Sequence, residues 1–368
     1  MAKRLVVCCD GTWNFADQPS RTNVAKLALS VCTGVCAGKD QRVYYHGGVG
    51  TGRWEHLSGG AFGVGLSENV LDAYRFLVET YEPRDELFLF GFSRGAFTVR
   101  SLAGLVRNSG IVRPAHVDRM PQAWRLYRDR LEKPSGAAAT LFRRSYAQET
   151  GIRFIGVWDT VGALGIPVPA ARSLEPAVAR FNRQWAFHDT ELSSWVRAAC
   201  HALAIDEQRS SFRPTLWHQQ PGAERQGQEL KQVWFAGVHC DVGGGYRETG
   251  LSDITLLWMA DQARRYGLVL DPQALGVHGP SVMKPDDSIE FRVRPDVLGE
   301  VHPSRTGLYR LAEPLHRAVG RAADREGRLD GDEFLARPAM ERYDKDADYR
   351  PPGLEQYLTD RQRVRLDP

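Results

Sequence analysis

Residues 87–98 of the chain read Leu-Phe-Leu-Phe-Gly-Phe-Ser-Arg-Gly-Ala-Phe-Thr, and this stretch decides the fold. An apolar run leads into a segment that places Ser93 between two glycines, two residues before it and two after it. Apolar residues then recur at helical spacing from Ala96 to Val106. A strand, a sharp turn and a helix in this order predict a nucleophile elbow, which exposes the serine oxygen above a sheet. The alternative is an ordinary turn in which Ser93 only caps the helix.

Further apolar segments alternate with helical patterns on both sides of this stretch. We predict strands over residues 4–9, 42–46, 87–92, 153–158, 199–205 and 232–238, and helices over 22–31 and 67–81. Buried strands that alternate with helices indicate an α/β fold with a mostly parallel sheet covered on both faces. In such folds the functional groups gather at the carboxyl ends of the strands.

The bulk composition excludes several classes of protein. The chain has 368 residues and a formal charge of +3, which gives no reason to expect a nucleic-acid partner. No apolar run approaches the roughly 20 residues that span a bilayer, and the run at Leu5–Cys9 is too short for a signal peptide. Cys32 and Cys36 could share a helix face, but no second ligand pair follows, so we expect no zinc site. A reduced, cytoplasmic protein is the default expectation, although export by a secretion machine would need no visible signal.

Two regions depart from the strand–helix alternation. Residues 112–150 and 167–230 are less regular and are predicted to be helical insertions that cap the site. We therefore expect an α/β core over residues 1–310 that carries both insertions. A C-terminal extension over residues 311–368 is expected to pack on that core.

A nucleophilic serine needs a histidine to take its proton and a carboxylate to orient that histidine. In hydrolases of this architecture these residues follow the chain order serine, acid, histidine. His302 lies late in the chain in a loop-like setting and fits that order best, while His239, at a strand end, is its main rival. Three aspartates follow strand-like segments and could be the acid: Asp159, Asp206 and Asp241.

The oxyanion hole needs two backbone donors. One is expected from Arg94, the residue after the nucleophile. The other is expected from the turn formed by Asp10, Gly11 and Thr12, or from the glycine-rich segment 47–52. That segment lacks the following Lys-Ser or Lys-Thr of a phosphate loop. The sequence therefore indicates no nucleotide cofactor, and for a serine hydrolase we expect no cofactor and no bound metal.

Six ordered blocks between residue 3 and about residue 310 resemble one family. They read Cys9-Asp10-Gly11-Thr12-Trp13-Asn14, Thr22-Asn23-Val24, Gly91-Phe92-Ser93-Arg94-Gly95-Ala96, Trp158-Asp159-Thr160-Val161-Gly162, Ala204-Ile205-Asp206-Glu207 and His239-Cys240-Asp241-Val242-Gly243-Gly244-Gly245-Tyr246. Together they are similar to the α/β-hydrolase domain of type VI secretion phospholipase effectors and of related bacterial and fungal proteins.

This resemblance implies an α/β-hydrolase-like fold and a serine esterase or lipase. It implies Ser93 as the nucleophile, His302 as the histidine and Asp159 as the acid, with Asp241 as the second choice. The effectors carry a large membrane-docking region for which this chain has little room. Both a phospholipid and a smaller ester therefore remain open as the substrate, as does peripheral contact with a membrane surface.

Two other functions fit the same residues. A hydrolase-like scaffold could bind a ligand or partner without turnover. A metal-dependent phosphoesterase could use the strand-end carboxylates of Asp10, Asp159 and Asp241.

Overall fold

The architecture is given by a computed structural model of the chain. It describes residues 2–11, 21–48, 59–129, 131–161, 191–276, 291–311, 313–321, 332–359 and 364–367, with only the backbone described over 59–64 and at 308 and 311. Thr12 and the segments 49–58 and 162–190 lie outside the described residues, as does much of the predicted second insertion.

A central sheet of nine strands organises the described residues. The strands are β1 (Arg4–Cys9), β2 (Gly34–Cys36), β3 (Lys39–His46), β4 (Glu86–Phe92), β7 (Phe154–Trp158), β9 (Ala198–Ala204), β11 (Glu229–Phe235), β12 (Glu333–Ala336) and β13 (Leu366–Asp367). Their order in the sheet is β13-β12-β11-β9-β7-β4-β1-β3-β2, and neighbouring strands are parallel except for the antiparallel pair β2 and β3. Two small ladders pair β5 (Ile111–Val112) with β6 (Ala147–Gln148), and β8 (Glu191–Leu192) with β10 (His218–Gln219).

Helices cover both faces of this sheet. They are α1 (Asn23–Ser30), α2 (Gly59–Thr80), α3 (Arg94–Ser109), α4 (Met120–Arg128), α5 (Ala137–Tyr146), α6 (His239–Gly243), α7 (Gly250–Arg265), α8 (Arg337–Lys345) and α9 (Pro352–Thr359). Short 3-10 turns occupy Pro114–Arg119, Ser210–Phe212, Glu224–Gln226 and Gly307–Leu311.

The alternation of side chains along β4 shows how the two layers form. Leu87 and Leu89 point into a core that includes side chains of α2 and α3, whereas Phe88, Phe90 and Phe92 point into the opposite core with α1 and α7. Successive residues of a strand face opposite sides of a sheet. Because both sides are covered, the strand is apolar throughout, which is why its sequence reads as an uninterrupted hydrophobic run.

The α/β-hydrolase-like fold class is confirmed by this architecture. The six predicted strands all form, with boundaries that differ by no more than about three residues. Helix α2 begins at Gly59, earlier than expected, because glycines in its first turns obscure the helical pattern. Strands β12 and β13 of the C-terminal region join the edge of the same sheet.

The first insertion does not form the cap that we expected. The Ser109 hydroxyl donates to the carbonyl of Ala123 in α4, and the Arg143 guanidinium of α5 donates to the carbonyl of Asn108. These contacts are made at the C-terminal end of α3, whereas the helix begins next to Ser93. The α4 and α5 helices therefore pack at the end of α3 that is remote from the elbow.

Two cysteines also depart from expectation. Cys32 and Cys36 are joined by a disulfide and are therefore not reduced, and neither lies on a helix, because Cys36 ends β2 and Cys32 precedes that strand. Cys8, Cys9, Cys200 and Cys240 are free. Among the residues that the structure describes, no helix is long and apolar enough to cross a membrane.

Candidate active site

Ser93 occupies a sharp turn between β4 and α3. Its φ of 56° and ψ of −115° are strained for a residue with a side chain, at a cost of order 1–3 kcal/mol. A side chain at Gly91 would overlap the carbonyl of Gly95, and one at Gly95 would overlap the carbonyl of Cys9. The turn is held against the next strand because the Ser93 N–H donates to the carbonyl of Trp158 at 3.0 Å. These contacts give the elbow geometry that the sequence predicted.

The expected oxyanion donors are only partly in place. Arg94 is the first residue of α3, where N–H groups have no acceptor within the helix. In the first alternative for the second donor, the Asp10 N–H donates to the carbonyl of His46 at 2.8 Å and the Gly11 N–H donates to Asp10 Oδ1 at 2.7 Å, so both already have acceptors. In the glycine-rich segment, the Gly48 N–H donates to Nδ1 of His46 at 3.1 Å, and residues 49–52 lie outside the described residues. Asp10 also accepts from the hydroxyl groups of Thr22 and Tyr45. The Asp10 carboxylate therefore links the end of β1 to Thr22 and to Tyr45 of β3.

Asp159 follows β7 directly and is fully buried. Its Oδ2 lies 2.6 Å from Nδ1 of His239, the first residue of α6. Its Oδ1 accepts from the Ala204 N–H at 3.1 Å. The Arg317 guanidinium spans both oxygens, with Nη1 2.6 Å from Oδ1 and Nη2 3.0 Å from Oδ2. Each oxygen of the Asp159 carboxylate thus has two polar partners: Ala204 and Arg317 at Oδ1, and His239 and Arg317 at Oδ2.

Burial opposes the ionisation of Asp159, but the charge of Arg317 and the bond from His239 outweigh burial and hold the pKa of this carboxyl well below its usual range. A second buried carboxylate, Glu207, accepts the His239 N–H at 3.3 Å. Burial also opposes the ionisation of Glu207, yet its bonds to Arg209 lower its pKa overall. The backbone N–H of His239 therefore faces Glu207, which is paired with Arg209, and its ring faces Asp159, which is paired with Arg317.

Contacts on either side of Ser93 bring this histidine to the elbow. The His239 ring packs against the ring of Phe92, the residue before Ser93, with 4.6 Å between centroids. The carbonyl that accepts the Ser93 N–H belongs to Trp158, the residue before Asp159. The ring of Phe212 closes the other side of His239 at 4.9 Å. His239 is only 3% exposed in this apolar enclosure.

A second histidine–aspartate pair joins Asp241 of α6 to His302, which lies in an irregular segment further along the chain. Nδ1 of His302 is 2.6 Å from Asp241 Oδ1, and the His302 N–H donates to Asp241 Oδ2 at 3.1 Å. The same Oδ2 accepts the N–H of Val238 at 3.0 Å. Tyr246 stacks on the His302 ring with 3.9 Å between centroids, and Nε2 of His302 is 3.4 Å from Glu248. This pair is nearer to solvent, since 14% of the His302 side chain is exposed.

The pairing that we expected from the sequence, His302 with Asp159, does not form. Asp159 bonds to His239 and Asp241 bonds to His302. The physical reason is that α6 begins at His239, separated from the end of β11 by three residues, and the ring of this first residue packs on Phe92 and bonds to Asp159. Asp206, the third candidate acid, accepts instead from the Gly237 N–H and the Tyr349 hydroxyl.

The three aspartates of the metal hypothesis do not share a site. Asp10 is held by Thr22 and Tyr45, while Asp159 and Asp241 each bind a different histidine. Over the described residues, no group of three or more His, Cys, Asp or Glu side chains could hold a metal ion.

Comparison with known proteins places this geometry in a family. Residues 3–262 match the family described as the catalytic domain of T6SS Tle1-like phospholipase effectors. The chain belongs to this family. The Tle1-like match covers Ser93, Asp159, His239 and Asp241, whereas His302 and Arg317 lie beyond it. Membership supports a hydrolase of the lipase or esterase type.

The chain is similar to parts of two longer proteins. An uncharacterized protein of Saccharomyces cerevisiae is 28% identical over 245 residues, which are 60% of this chain and 33% of that protein. The crystal structure of an uncharacterized protein from Pseudomonas aeruginosa has 19% identity and a TM-score of 0.48, covering 77% of this chain and 48% of that one. The chain thus spans about a third of the yeast relative and about half of the Pseudomonas protein.

One residue of this site was missed by the sequence analysis. Arg317 lies in the segment Leu315-His316-Arg317-Ala318-Val319, in an arginine-rich tail without clear periodicity. Only its burial between Asp159 and two backbone carbonyls distinguishes it from its neighbours. Burial of this kind leaves no signal in a single sequence.

Proposed function

We propose that this Tle1-like domain is a serine hydrolase of carboxylic esters in which Ser93 is the nucleophile, His239 the general base and Asp159 the acid. The observation that carries the proposal is the fully buried Asp159–His239 pair, whose imidazole packs on the residue before Ser93. The three residues follow the order serine, acid, histidine and leave the adjacent parallel strands β4 and β7 and the nearby β11 at their carboxyl ends.

The roles follow from the chemistry of acyl transfer. Ser93 Oγ attacks the ester carbonyl while His239 takes its proton, and the same histidine then protonates the leaving alcohol. Water repeats the sequence on the acyl-enzyme and releases the acid. Asp159 accepts from Nδ1 of His239, which leaves Nε2 as the atom that exchanges protons with Ser93. The Arg94 N–H is expected to bind the developing oxyanion.

The pair of His302 and Asp241 offers a second assignment of the base. Its described contacts are with α6, Tyr246 and Glu248, whereas the His239 ring packs directly on Phe92, the residue before Ser93. In our proposal Asp241 therefore anchors the turn at Val238 and the segment at His302, and His239 is the base.

Labelling by a fluorophosphonate probe tests these roles. We expect the wild type to label, Ser93→Ala to lose labelling completely, and His239→Ala to label about 10³-fold more slowly or worse. His302→Ala is the matched control and is expected to label within tenfold of the wild type. Slow labelling of His302→Ala with normal labelling of His239→Ala would move the base to His302.

Hydrolysis of p-nitrophenyl esters over a series of acyl lengths defines the substrate class. A preference for short acyl groups would favour a small ester, and a preference for long chains in vesicles would favour a lipid. A wild type that neither labels nor hydrolyses any ester, yet binds a ligand equally well with Ser93→Ala, would favour a non-catalytic scaffold. Activity that is lost in EDTA and restored by a divalent metal would favour a phosphoesterase.

A further inference from the structure

A buried arginine from the C-terminal region is part of the site that we propose. Arg317 is 3% exposed and lies in a stretch beyond residue 262, where the family match ends. Its Nη1 donates to Asp159 Oδ1 at 2.6 Å and to the Ala204 carbonyl at 2.8 Å. Its Nη2 donates to Asp159 Oδ2 at 3.0 Å and to the Phe212 carbonyl at 2.6 Å. One guanidinium therefore joins the carboxylate, the end of β9 and the turn that covers His239.

Resting on the proposed function, we propose that Arg317 is a positioning residue of the catalytic group: it fixes the Asp159 carboxylate as a buried anion with Oδ2 aimed at His239. The planar guanidinium fork matches both carboxylate oxygens, which a single ammonium group cannot do. The charge and the orientation of the triad acid are therefore fixed by a residue that lies 158 positions further along the chain.

The need for a cation follows from burial. A fully buried carboxylate with only neutral donors becomes harder to ionise, because desolvation raises its pKa. A protonated Asp159 would no longer be an anion that stabilises the imidazolium formed when His239 takes the serine proton. Without Arg317, the active form should therefore be lost at a higher pH than in the wild type.

The other ionisable groups near Asp159 cannot replace the positive charge of Arg317. Glu207 lies next to His239 but is an anion and already binds Arg209. His201 of β9 accepts the Thr160 N–H, and burial followed by the charge of Arg100 lowers its pKa to about 3, so it is neutral at ordinary pH. Cys240, next to His239, has its pKa raised to about 12 by burial and remains a thiol.

Two substitutions separate the effect of the positive charge of Arg317 from that of its two-pronged guanidinium group: Arg317→Gln removes both, and Arg317→Lys keeps only the charge. In Arg317→Gln we expect the acid limb of the labelling rate to move up by about one pH unit or more. We also expect kcat to fall about tenfold to a hundredfold, part of what a positioned base contributes, with a smaller change in KM. Arg317→Lys keeps the charge, so its acid limb should stay close to that of the wild type. Arg342→Gln is the control, since this buried arginine binds the carbonyls of Val297 and Gly299.

A purely structural role would give a different result. It would lower the fraction of protein that labels but leave the rate per active site and the acid limb unchanged, and that outcome would overturn the proposal. An acid limb in Arg317→Lys that moves as far as in Arg317→Gln would also overturn it, because the charge would then be irrelevant. A shift in Arg342→Gln equal to that in Arg317→Gln would do the same.

Infrared spectroscopy measures the carboxyl without any activity. The protonated-carboxyl band of Asp159 is identified by its loss in Asp159→Asn, with Ser93→Ala as the background of every sample. At pH 5 we expect no such band with Arg317 present and a clear band in Arg317→Gln. A band in the presence of Arg317 would overturn the inference, even if the chain proves not to be a hydrolase. A wild type that fails to label, with the expected bands, would instead remove only the proposed function.

Discussion

Replacing Asp159 with asparagine is the sharpest test of how the buried carboxylate works. Its Oδ1 faces Nη1 of Arg317 and its Oδ2 faces Nη2 of the same guanidinium. An asparagine has one oxygen and one NH₂ group at these two positions. In either orientation the NH₂ group therefore points at an N–H group of Arg317, and in one orientation it also points at Nδ1 of His239. No rotamer of the amide can satisfy the site.

The expected loss of stability follows from this mismatch. Asp159→Asn leaves the Arg317 guanidinium buried without its counter-charge, a change that typically costs about 3–5 kcal/mol. The free energy of unfolding of a domain is about 5–15 kcal/mol, so we expect the variant to be folded but less stable at low temperature. The labelling rate per folded molecule should also fall by about 10⁴-fold, because His239 loses the acceptor that selects its tautomer.

Urea unfolding at pH 7 measures the stability, and fluorophosphonate labelling normalised to the folded fraction measures the chemistry. Asp241→Asn is the matched control, since it removes the equivalent bond to His302 in the more exposed pair. We expect this control to keep its labelling rate within tenfold. An Asp159→Asn protein that loses less than about 1 kcal/mol and labels within tenfold of the wild type would refute both the electrostatic argument and the assignment of the acid.

Three further predictions concern the elbow and its surroundings. Gly95→Ala should cost about 3 kcal/mol or more in urea unfolding, because the new Cβ would overlap the Cys9 carbonyl and lie 2.5 Å from that of Asp10; Gly276→Ala, with nothing closer than 3.5 Å, should stay within about 0.5 kcal/mol. Ser93→Gly should raise the unfolding free energy by about 1 kcal/mol relative to Ser93→Ala, because glycine adopts the φ of 56° without strain, and equal stabilities would show that the turn is not strained. Burial raises the pKa of Asp206 to about 6, so its protonation favours the folded state and stability should fall by up to about 3 kcal/mol as pH rises from about 4 to about 6; an equal pH dependence in Asp206→Asn would contradict this.

The sequence predicts the features that depend on local pattern. The apolar run before Ser93 and the helical spacing after it are enough to predict β4, the elbow and α3. The carboxyl-end positions of Asp159 and Asp241 follow in the same way from the strands that precede them. These features need only the alternation of side chains and the preference of glycine for tight turns.

The pairing of acids with histidines could not be predicted in this way. Two aspartates and two histidines allow more than one set of bonds, and chain order permits both His239 and His302 as partners of Asp159. The choice depends on the direction in which α6 leaves β11, because His239 and Asp241 lie two residues apart on that short helix and bind different partners. The direction of a helix is set by packing, here for instance by the close contact of Gly243 with the ring of Phe92. Such a contact cannot be predicted from a single sequence.

The region beyond residue 262, where the family match ends, contributes residues that contact the proposed active site. Strand β12 pairs with β11, whose carboxyl end carries His239, and Arg317 supplies the charge that lets Asp159 exist as a buried anion. The Asp241 carboxylate ties His302, also beyond residue 262, to the turn that begins α6. Because a buried carboxylate without a cation is strongly unfavourable, we expect the matched region and the C-terminal region to fold as one unit. The elbow at Ser93 is local in sequence, whereas the acid that would orient its base depends on Arg317, which lies 158 positions further along the chain than Asp159.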